Sequence, residues 1–129
     1  MTNLTFPNFD IFLDSYEGDK FDLLSNAAEF LSLLLTGHDL FLTQGLQATL
    51  ETHKRTNEPI LKLVERHFSF DFGDTKRAAV FENFNSLKHK DRLISFYNLS
   101  DLIPNSTDKI QVTTEPEWGR TMISLLSEY

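Results

Sequence analysis

Apolar residues recur with helical spacing between positions 20 and 36, and this segment has the strongest pattern in the chain. A helix over 20–36 would carry one face of five apolar residues: Phe21, Leu24, Ala28, Leu31 and Leu35. Four more widen the stripe beyond half the circumference: Leu23, Ala27, Phe30 and Leu34. A helix that is apolar on nearly all sides is typical of a domain centre. We therefore predict a central helix ending at Gly37, with the five residues named first among the most buried.

Four further segments carry helical patterns or boundary signals. A short helix is predicted over 9–16, after Pro7, and a second over 38–53. Asn57 followed by an acid and a proline is typical of a helix start, so we predict a helix from there to about Phe68. Another is predicted from Thr75 to about Leu87, with Asp74 as its cap.

Strand signals are fewer. Lys109–Thr114 alternates between apolar and polar residues and is rich in β-branched side chains, so it is predicted to be a strand. The segment 93–103 fits a helix or a buried strand about equally, and we favour a helix because Asp91 offers a cap. The segment 68–72 has period two, which fits either a short strand or an aromatic tail folded over the core.

The last segment, 114–129, resembles a helix with a capping box. Thr114 and Glu117 stand at the spacing of that motif, with Pro116 in the first turn. Four residues would then align on one face: Trp118, Met122, Leu125 and Tyr129. The predicted fold is therefore mainly α, all-alpha in class, with about five to six helices and at most a small β element near 109–114. Residues 1–129 are expected to form a single domain.

Composition narrows the class of protein further. The chain has 129 residues and no cysteine, which excludes a disulfide scaffold and any cysteine-ligated metal site. No basic, apolar leader pattern opens the sequence, because the first cation is Lys20, so we expect a cytoplasmic protein. The most apolar stretch, 21–35, contains Asp22 and Glu29 and is shorter than a membrane span requires.

The formal net charge is −7, and the surplus is concentrated near the start of the chain. Residues 1–50 hold seven acids and one base. Five of these acids lie close together in sequence: Asp10, Asp14, Glu17, Asp19 and Asp22. Such a surplus repels nucleic acid and favours a cationic partner. Two interpretations remain open: a solvated acidic surface that keeps the protein soluble, or an acidic docking face.

No pattern of residues predicts a reaction. The five glycines are isolated, so phosphate-binding loops are absent, and neither a Gly-x-Ser-x-Gly nor a His-Glu-x-x-His motif occurs. His67 and Asp71 have the spacing of two metal ligands, but the helix is expected to end between them. The basic stretch 76–92 does not make the domain basic, and its cations are expected to pair with the acidic first third. We therefore expect no enzyme activity, no cofactor, no metal and no nucleic-acid partner.

The remaining unusual feature is the number of phenylalanines, twelve in all. Most must be core, but some could anchor a partner, because aromatic residues are enriched in interfaces. The candidates lie in two clusters: Phe6, Phe9 and Phe12 near the acids, or Phe68, Phe70 and Phe72. Small acidic proteins without cysteine or a catalytic motif include immunity proteins, antitoxins and phage-encoded inhibitors. The predicted function is accordingly a protein-binding module for a basic partner. Its predicted contact residues are Asp10, Asp14, Glu17, Asp19, Asp22, Phe9 and Phe12.

Two other functions stay open. One is an enzyme or small-ligand-binding protein with an aromatic-lined pocket between helices, where His38, His53 or His67 would converge. The other is a structural homo-oligomer that associates through 21–35 or through the segment around Trp118.

Overall fold

The computed structural model describes residues 7–128, and side chains from Phe9 onward. The helices are α1 (Pro7–Ser15), α2 (Lys20–Ser32), α3 (Gln44–Thr52), α4 (Glu58–His67) and α5 (Arg77–Ser86). The strands are β1 (Asp39–Leu42), β2 (Leu93–Asn98), β3 (Lys109–Thr114) and β4 (Arg120–Leu125). Short 3-10 turns lie at Leu33–Thr36, Leu87–His89, Leu99–Asp101, Pro116–Trp118 and Leu126–Glu128.

The four strands form one mixed sheet in the order β1-β4-β3-β2. β4 pairs with β3 in antiparallel fashion and with β1 in parallel, and β2 pairs with β3 in antiparallel fashion. The prediction of a mainly α, all-alpha protein is therefore wrong, since helices and a four-stranded sheet together make an α/β fold. The strand predicted over 109–114 is confirmed as β3, in the interior of the sheet.

The largest error concerns the end of the chain, where β4 replaces the predicted terminal helix. Thr114 does not cap a helix; it is fully buried at the end of β3, and Glu117 and Trp118 have φ angles of 68° and 55°. Left-handed backbone at two successive residues prevents a right-handed helix from starting there. Thr121, Ile123 and Leu125 then alternate inward. Tyr129, which was predicted to lie on one face of that helix, is outside the described residues.

Two other helix predictions are corrected in the same direction. The segment 93–103 begins with β2, whose alternate residues Leu93, Ser95 and Tyr97 are buried, so the preference for a helix was wrong. The segment predicted as one helix over 38–53 is divided into β1 and α3. Thr43 separates them, because its side chain caps α3 by accepting a hydrogen bond from the amide of Leu46 at 3.4 Å.

Elements with strong local signals agree better with the sequence. α4 begins at Glu58 directly after Asn57, with Pro59 in its first turn. α5 begins at Arg77, later than predicted, and Asp74 pairs with Lys109 instead of capping it. Phe68–Phe72 forms no strand, but the adjoining Gly73 makes an isolated parallel bridge to Phe96.

α2 has the predicted position but packs through its other face. Leu23, Ala27 and Phe30 are buried, whereas Phe21 is 79 % exposed, Leu24 46 % and Leu35 88 %. Ala28 is also exposed and Leu31 is half-buried. The prediction that these five residues are core is therefore wrong. The helix ends in the turn Leu33–Thr36, and Gly37 stops it at a left-handed φ of 78°, as predicted.

The core is one cluster of buried side chains between the helices and the inner face of the sheet. Phe30 occupies its centre, with ring centroids 4.9 Å from Phe68, 5.2 Å from Trp118 and 5.8 Å from Phe70. Phe30 fits among these rings of other elements, so α2 turns the face of Leu23, Ala27 and Phe30 to the core and leaves Phe21 outside. None of the described helices is long and apolar enough to cross a membrane.

Candidate functional site

The five acids predicted to meet a partner all lie exposed on or beside α1 and α2: Asp10, Asp14, Glu17, Asp19 and Asp22. Four ion pairs occur among residues 7–128, and none of them includes one of these acids. The negative charge at this end of the protein is therefore not neutralised within the described chain. Of the cations in the basic stretch 76–92, Lys90 pairs with Glu29 of α2 at 2.7 Å.

Asp19 differs from the other four acids because it also has a structural role. Its carboxylate accepts hydrogen bonds from the backbone amides of Phe21 at 2.9 Å and Asp22 at 3.3 Å, so it is the N-cap of α2. A carboxylate at this position satisfies amides that lack partners within the helix and interacts favourably with the helix dipole. Asp19 therefore contributes to folding whether or not it contacts a partner.

The two phenylalanines predicted as anchors lie against the core. Phe9 is only 6 % exposed, with its ring centroid 5.1 Å from Phe70 and 5.2 Å from Phe84. Phe12 is half-buried, with its centroid 5.7 Å from Phe84. Both rings pack α1 against the rest of the protein. Phe9 is so buried that it presents almost no surface to a partner.

Other apolar side chains are exposed on the same two helices as the acids. Phe21 and Leu24 project from α2, and Ile11 on α1 is 48 % exposed. We call this set the α1–α2 surface; it comprises Asp10, Ile11, Asp14, Glu17, Phe21, Asp22 and Leu24. Leu35 lies further along, beyond the end of α2.

The sequence contained a signal for this exposed face. Apolar residues cover so much of α2 that one side of contact with the core could not bury all of them. A helix with apolar side chains on most of its circumference is either surrounded by the rest of the domain or presents a second apolar face that something else could cover. We inferred the first, and the structure has α2 at the outside of the protein.

A second polar feature lies inside the protein. Four hydrogen bonds link five side chains in series: Ser95, His67, Thr114, Thr121 and His38, which we call the polar chain. The successive distances are 2.5 Å from Ser95 Oγ to His67 Nδ1, 2.8 Å from His67 Nε2 to Thr114 Oγ1, 2.8 Å from Thr114 Oγ1 to Thr121 Oγ1, and 2.9 Å from Thr121 Oγ1 to His38 Nε2. Every member except His38 is buried.

Burial determines the charge state of the two histidines. Loss of solvent lowers the pKa of His67 to about 3, so its imidazole is neutral at ordinary pH. Partial burial also lowers the pKa of His38, and the neighbouring Asp39 opposes that shift. A neutral imidazole offers one donor and one acceptor, which the two hydroxyl partners of His67 satisfy.

The polar chain occupies the place where a ligand pocket with converging histidines was considered. His38 and His67 do approach each other through the two threonines, but hydrogen bonds and packed phenylalanine rings fill the space around them. His53 lies elsewhere, exposed at the end of α3. A cavity of about 280 Å³ near Phe96 and Lys109 has no histidine in its lining.

The residues considered as metal ligands are also engaged separately. Both ring nitrogens of His67 are hydrogen-bonded in the polar chain, and Asp71 binds Arg66 at 2.7 Å on the surface. Within residues 7–128, no three histidine or acidic side chains are grouped in a way that could hold a metal ion.

We found no matching protein-family model, no matching curated protein and no matching solved structure.

Proposed function

We propose that this protein is a small cytoplasmic protein-binding module, of the immunity-protein, antitoxin or inhibitor kind, that docks on a basic surface of another protein. Its contact would be the α1–α2 surface. The observation that most supports the proposal is the 79 % exposure of Phe21 beside acids that have no ion-pair partner in the described chain.

The composition of this surface is that of a protein interface. Interfaces typically combine a few apolar or aromatic anchors with a polar rim, and the anchors supply most of the binding free energy. Phe21, Leu24 and Ile11 provide exposed apolar area, and Asp10 and Asp14 provide the rim. These anchors replace Phe9 and Phe12, which are needed to hold α1 in place.

The charge supports a different protein as the partner rather than a second copy of this chain. A twofold dimer through the α1–α2 surface would bring the same acids together, because an isologous interface matches a patch with itself. Like charges brought together at an interface cost several kcal/mol. A cationic partner would instead neutralise Asp10, Asp14, Glu17 and Asp22, and its approach would be accelerated by electrostatic attraction.

The test uses two matched variants in a capture experiment with extract from the native host. Phe21→Ser removes an exposed anchor in the α1–α2 surface, and Leu61→Ser removes a 47 % exposed leucine on α4, outside that surface. We expect wild type and Leu61→Ser to retain the same basic protein, and Phe21→Ser to lose it. Circular dichroism of all three proteins would show that the fold is unchanged.

Two outcomes would contradict the proposal. One is equal retention of the partner by Phe21→Ser and by wild type. The other is concentration-dependent self-association of the wild type that Phe21→Ser abolishes, because this would identify the α1–α2 surface as a homo-oligomer contact. Analytical ultracentrifugation of the purified proteins distinguishes these cases.

A further inference from the structure

The polar chain can be hydrogen-bonded in two directions. Each hydroxyl of Ser95, Thr114 and Thr121 has one proton, and a neutral imidazole has one N–H. Every link needs one donor and one acceptor, so the donors must follow one another in the same sense along the chain.

In the first direction, donation runs from Ser95 toward His38. The Ser95 hydroxyl donates to His67 Nδ1, and His67 Nε2–H donates to Thr114. Thr114 then donates to Thr121, and Thr121 donates to His38 Nε2. His67 is the Nε2–H tautomer in this arrangement.

In the second direction, every donor and acceptor is exchanged. His38 Nε2–H donates to Thr121, which donates to Thr114, and Thr114 donates to His67 Nε2. His67 Nδ1–H then donates to Ser95 Oγ. His67 is now the Nδ1–H tautomer, although no heavy atom has moved. In this direction the buried Ser95 hydroxyl proton has no acceptor within the polar chain, so the first direction is favoured while His38 is neutral.

Intermediate arrangements are disfavoured by burial. A reversal part-way along the chain leaves either a threonine hydroxyl proton without an acceptor or two oxygens facing each other without a proton between them. Thr114 and Thr121 are both 0 % exposed, so water cannot supply the missing partner. An unsatisfied buried polar group is costly, and the five side chains should therefore change direction together.

His38 is the end of the polar chain that solvent can reach. It is half-buried, follows Gly37 and precedes β1, while Ser95, His67 and the two threonines are buried. A protonated imidazole carries hydrogens on both nitrogens, so His38 Nε2 can then only donate. We propose that His38 and the polar chain form a pH-sensitive switch, in which protonation of His38 fixes the second direction and holds the buried His67 as its Nδ1–H tautomer.

The surroundings of the two imidazoles suit this arrangement. Asp39 of β1 favours the charged form of His38, and the Phe68 ring lies edge-on to it at 5.4 Å. On β4, Arg120 precedes Thr121 but binds Glu115 at 2.9 Å. His67 is surrounded by the rings of Phe30, Phe68 and Phe72, and His38 is the charged group that acts on it. His38 can therefore titrate while His67 stays neutral.

The test is nuclear magnetic resonance of the full chain labelled with ¹⁵N. Two-bond ¹H–¹⁵N correlations distinguish the two neutral tautomers of each histidine, and spectra would be recorded between about pH 8 and about pH 5, the range in which histidines titrate. We expect the Nδ1 and Nε2 signals of His67 to exchange character with the same midpoint as the protonation of His38. A His67 tautomer that stays unchanged through the titration of His38 would overturn the proposal.

A matched pair of variants tests whether Thr121 transmits the effect of His38 protonation to the tautomer of His67. Thr121→Ser keeps the hydroxyl in the polar chain, whereas Thr121→Val has nearly the same shape without it. The pH response of His67 should persist in Thr121→Ser and be lost in Thr121→Val, and persistence in Thr121→Val would overturn the route. If Thr121→Val fails to fold, His38→Ala replaces it, with His53→Ala as the control. A response of His67 that survives in His38→Ala would equally overturn the proposal.

Discussion

Asn83 of α5 binds both backbone groups of Ile94 on β2, as a neighbouring strand would. Its side-chain amide donates to the Ile94 carbonyl at 2.7 Å, and its side-chain oxygen accepts from the Ile94 amide at 2.9 Å. Nearby, Phe96 donates its amide to the carbonyl of Phe72 at 3.2 Å and accepts from the amide of Asp74 at 2.7 Å. This edge of the sheet is therefore covered, which protects it against pairing with another chain.

The first prediction follows from this pair. Asn83→Leu keeps a similar side-chain volume but leaves the amide and carbonyl of Ile94 without that partner. We expect it to lower the free energy of unfolding by about 1–3 kcal/mol, the usual cost of an unsatisfied buried polar group. Urea denaturation measures the change. The control is Asn85→Leu, an exposed position on the same helix, where a change within about 0.5 kcal/mol is expected. Equal effects of the two substitutions would show that the bonds to Ile94 contribute nothing.

The second prediction compares two adjacent leucines of α2. Leu23 is 1 % exposed and Leu24 is 46 % exposed. Leu23→Ala should therefore cost about 2–5 kcal/mol of stability because it leaves a cavity in the core. Leu24→Ala should cost less than about 1 kcal/mol, since the side chain is largely in water. Chemical denaturation of both variants decides the matter, and the opposite order would mean that α2 packs through the face predicted from the sequence.

The third prediction concerns pH. The pKa of His67 is about 3 in the folded protein and 6.5 when unfolded, so protons bind the unfolded chain more tightly. The stability that neutral His67 contributes is complete above about pH 6.5 and is lost progressively as the pH falls toward 3. Between about pH 7 and pH 5 this loss amounts to about 2 kcal/mol, and the lowered pKa of His38 adds to it in the same sense.

Urea denaturation at several pH values between these limits measures the slope. His67→Gln should flatten it, whereas His53→Gln, at an exposed histidine, should leave it unchanged. Carboxylates with lowered pKa, such as Asp71, lose their contribution only at lower pH and do not interfere in this range. A wild-type stability that stays constant from pH 7 to pH 5 would contradict the assignment of His67 as a neutral buried group.

The fourth prediction separates the cap of α2 from the acids that would meet a partner. Asp19→Ala removes the side-chain acceptor for the amides of Phe21 and Asp22, so it should cost about 1 kcal/mol. Asp14→Ala changes an exposed carboxylate without a hydrogen bond to a helix end and should change stability by less than about 0.5 kcal/mol. Thermal denaturation at constant pH compares them. A similar loss in both variants would argue against the capping role of Asp19.

The fifth prediction follows from the proposed docking on a basic partner. Asp14→Lys should slow association and weaken its dependence on salt, because charges at an interface rim mainly affect the rate of encounter. Glu65→Lys makes the same change in charge at an exposed position of α4, and it should have a smaller effect. Stopped-flow or surface-binding kinetics at two salt concentrations, with the partner recovered by wild type, would measure both. Identical association rates for the two variants would show that only the net charge of the protein matters, and not the position of Asp14 in the α1–α2 surface.

The sequence determined the features that depend on neighbouring residues. The alternation of Lys109–Thr114 predicted β3, the series Asn57-Glu58-Pro59 predicted the start of α4, and Gly37 predicted the end of the helical segment before it. Each of these signals acts through the backbone preferences or the hydrogen bonds of a few consecutive residues. The concentration of acids near the start of the chain was likewise evident from the sequence.

The tertiary structure decided the features that depend on distant residues. β4 is a strand because β1 and β3 bind it on both sides, although its apolar spacing also fits a helix. The outward face of α2 was decided by where Phe68, Phe70 and Trp118 lie around Phe30. His67 meets Ser95 and Thr114 across 28 and 47 residues of chain. Hydrophobic patterning specifies which residues prefer burial, but the partner that buries them is chosen by packing among elements far apart in sequence.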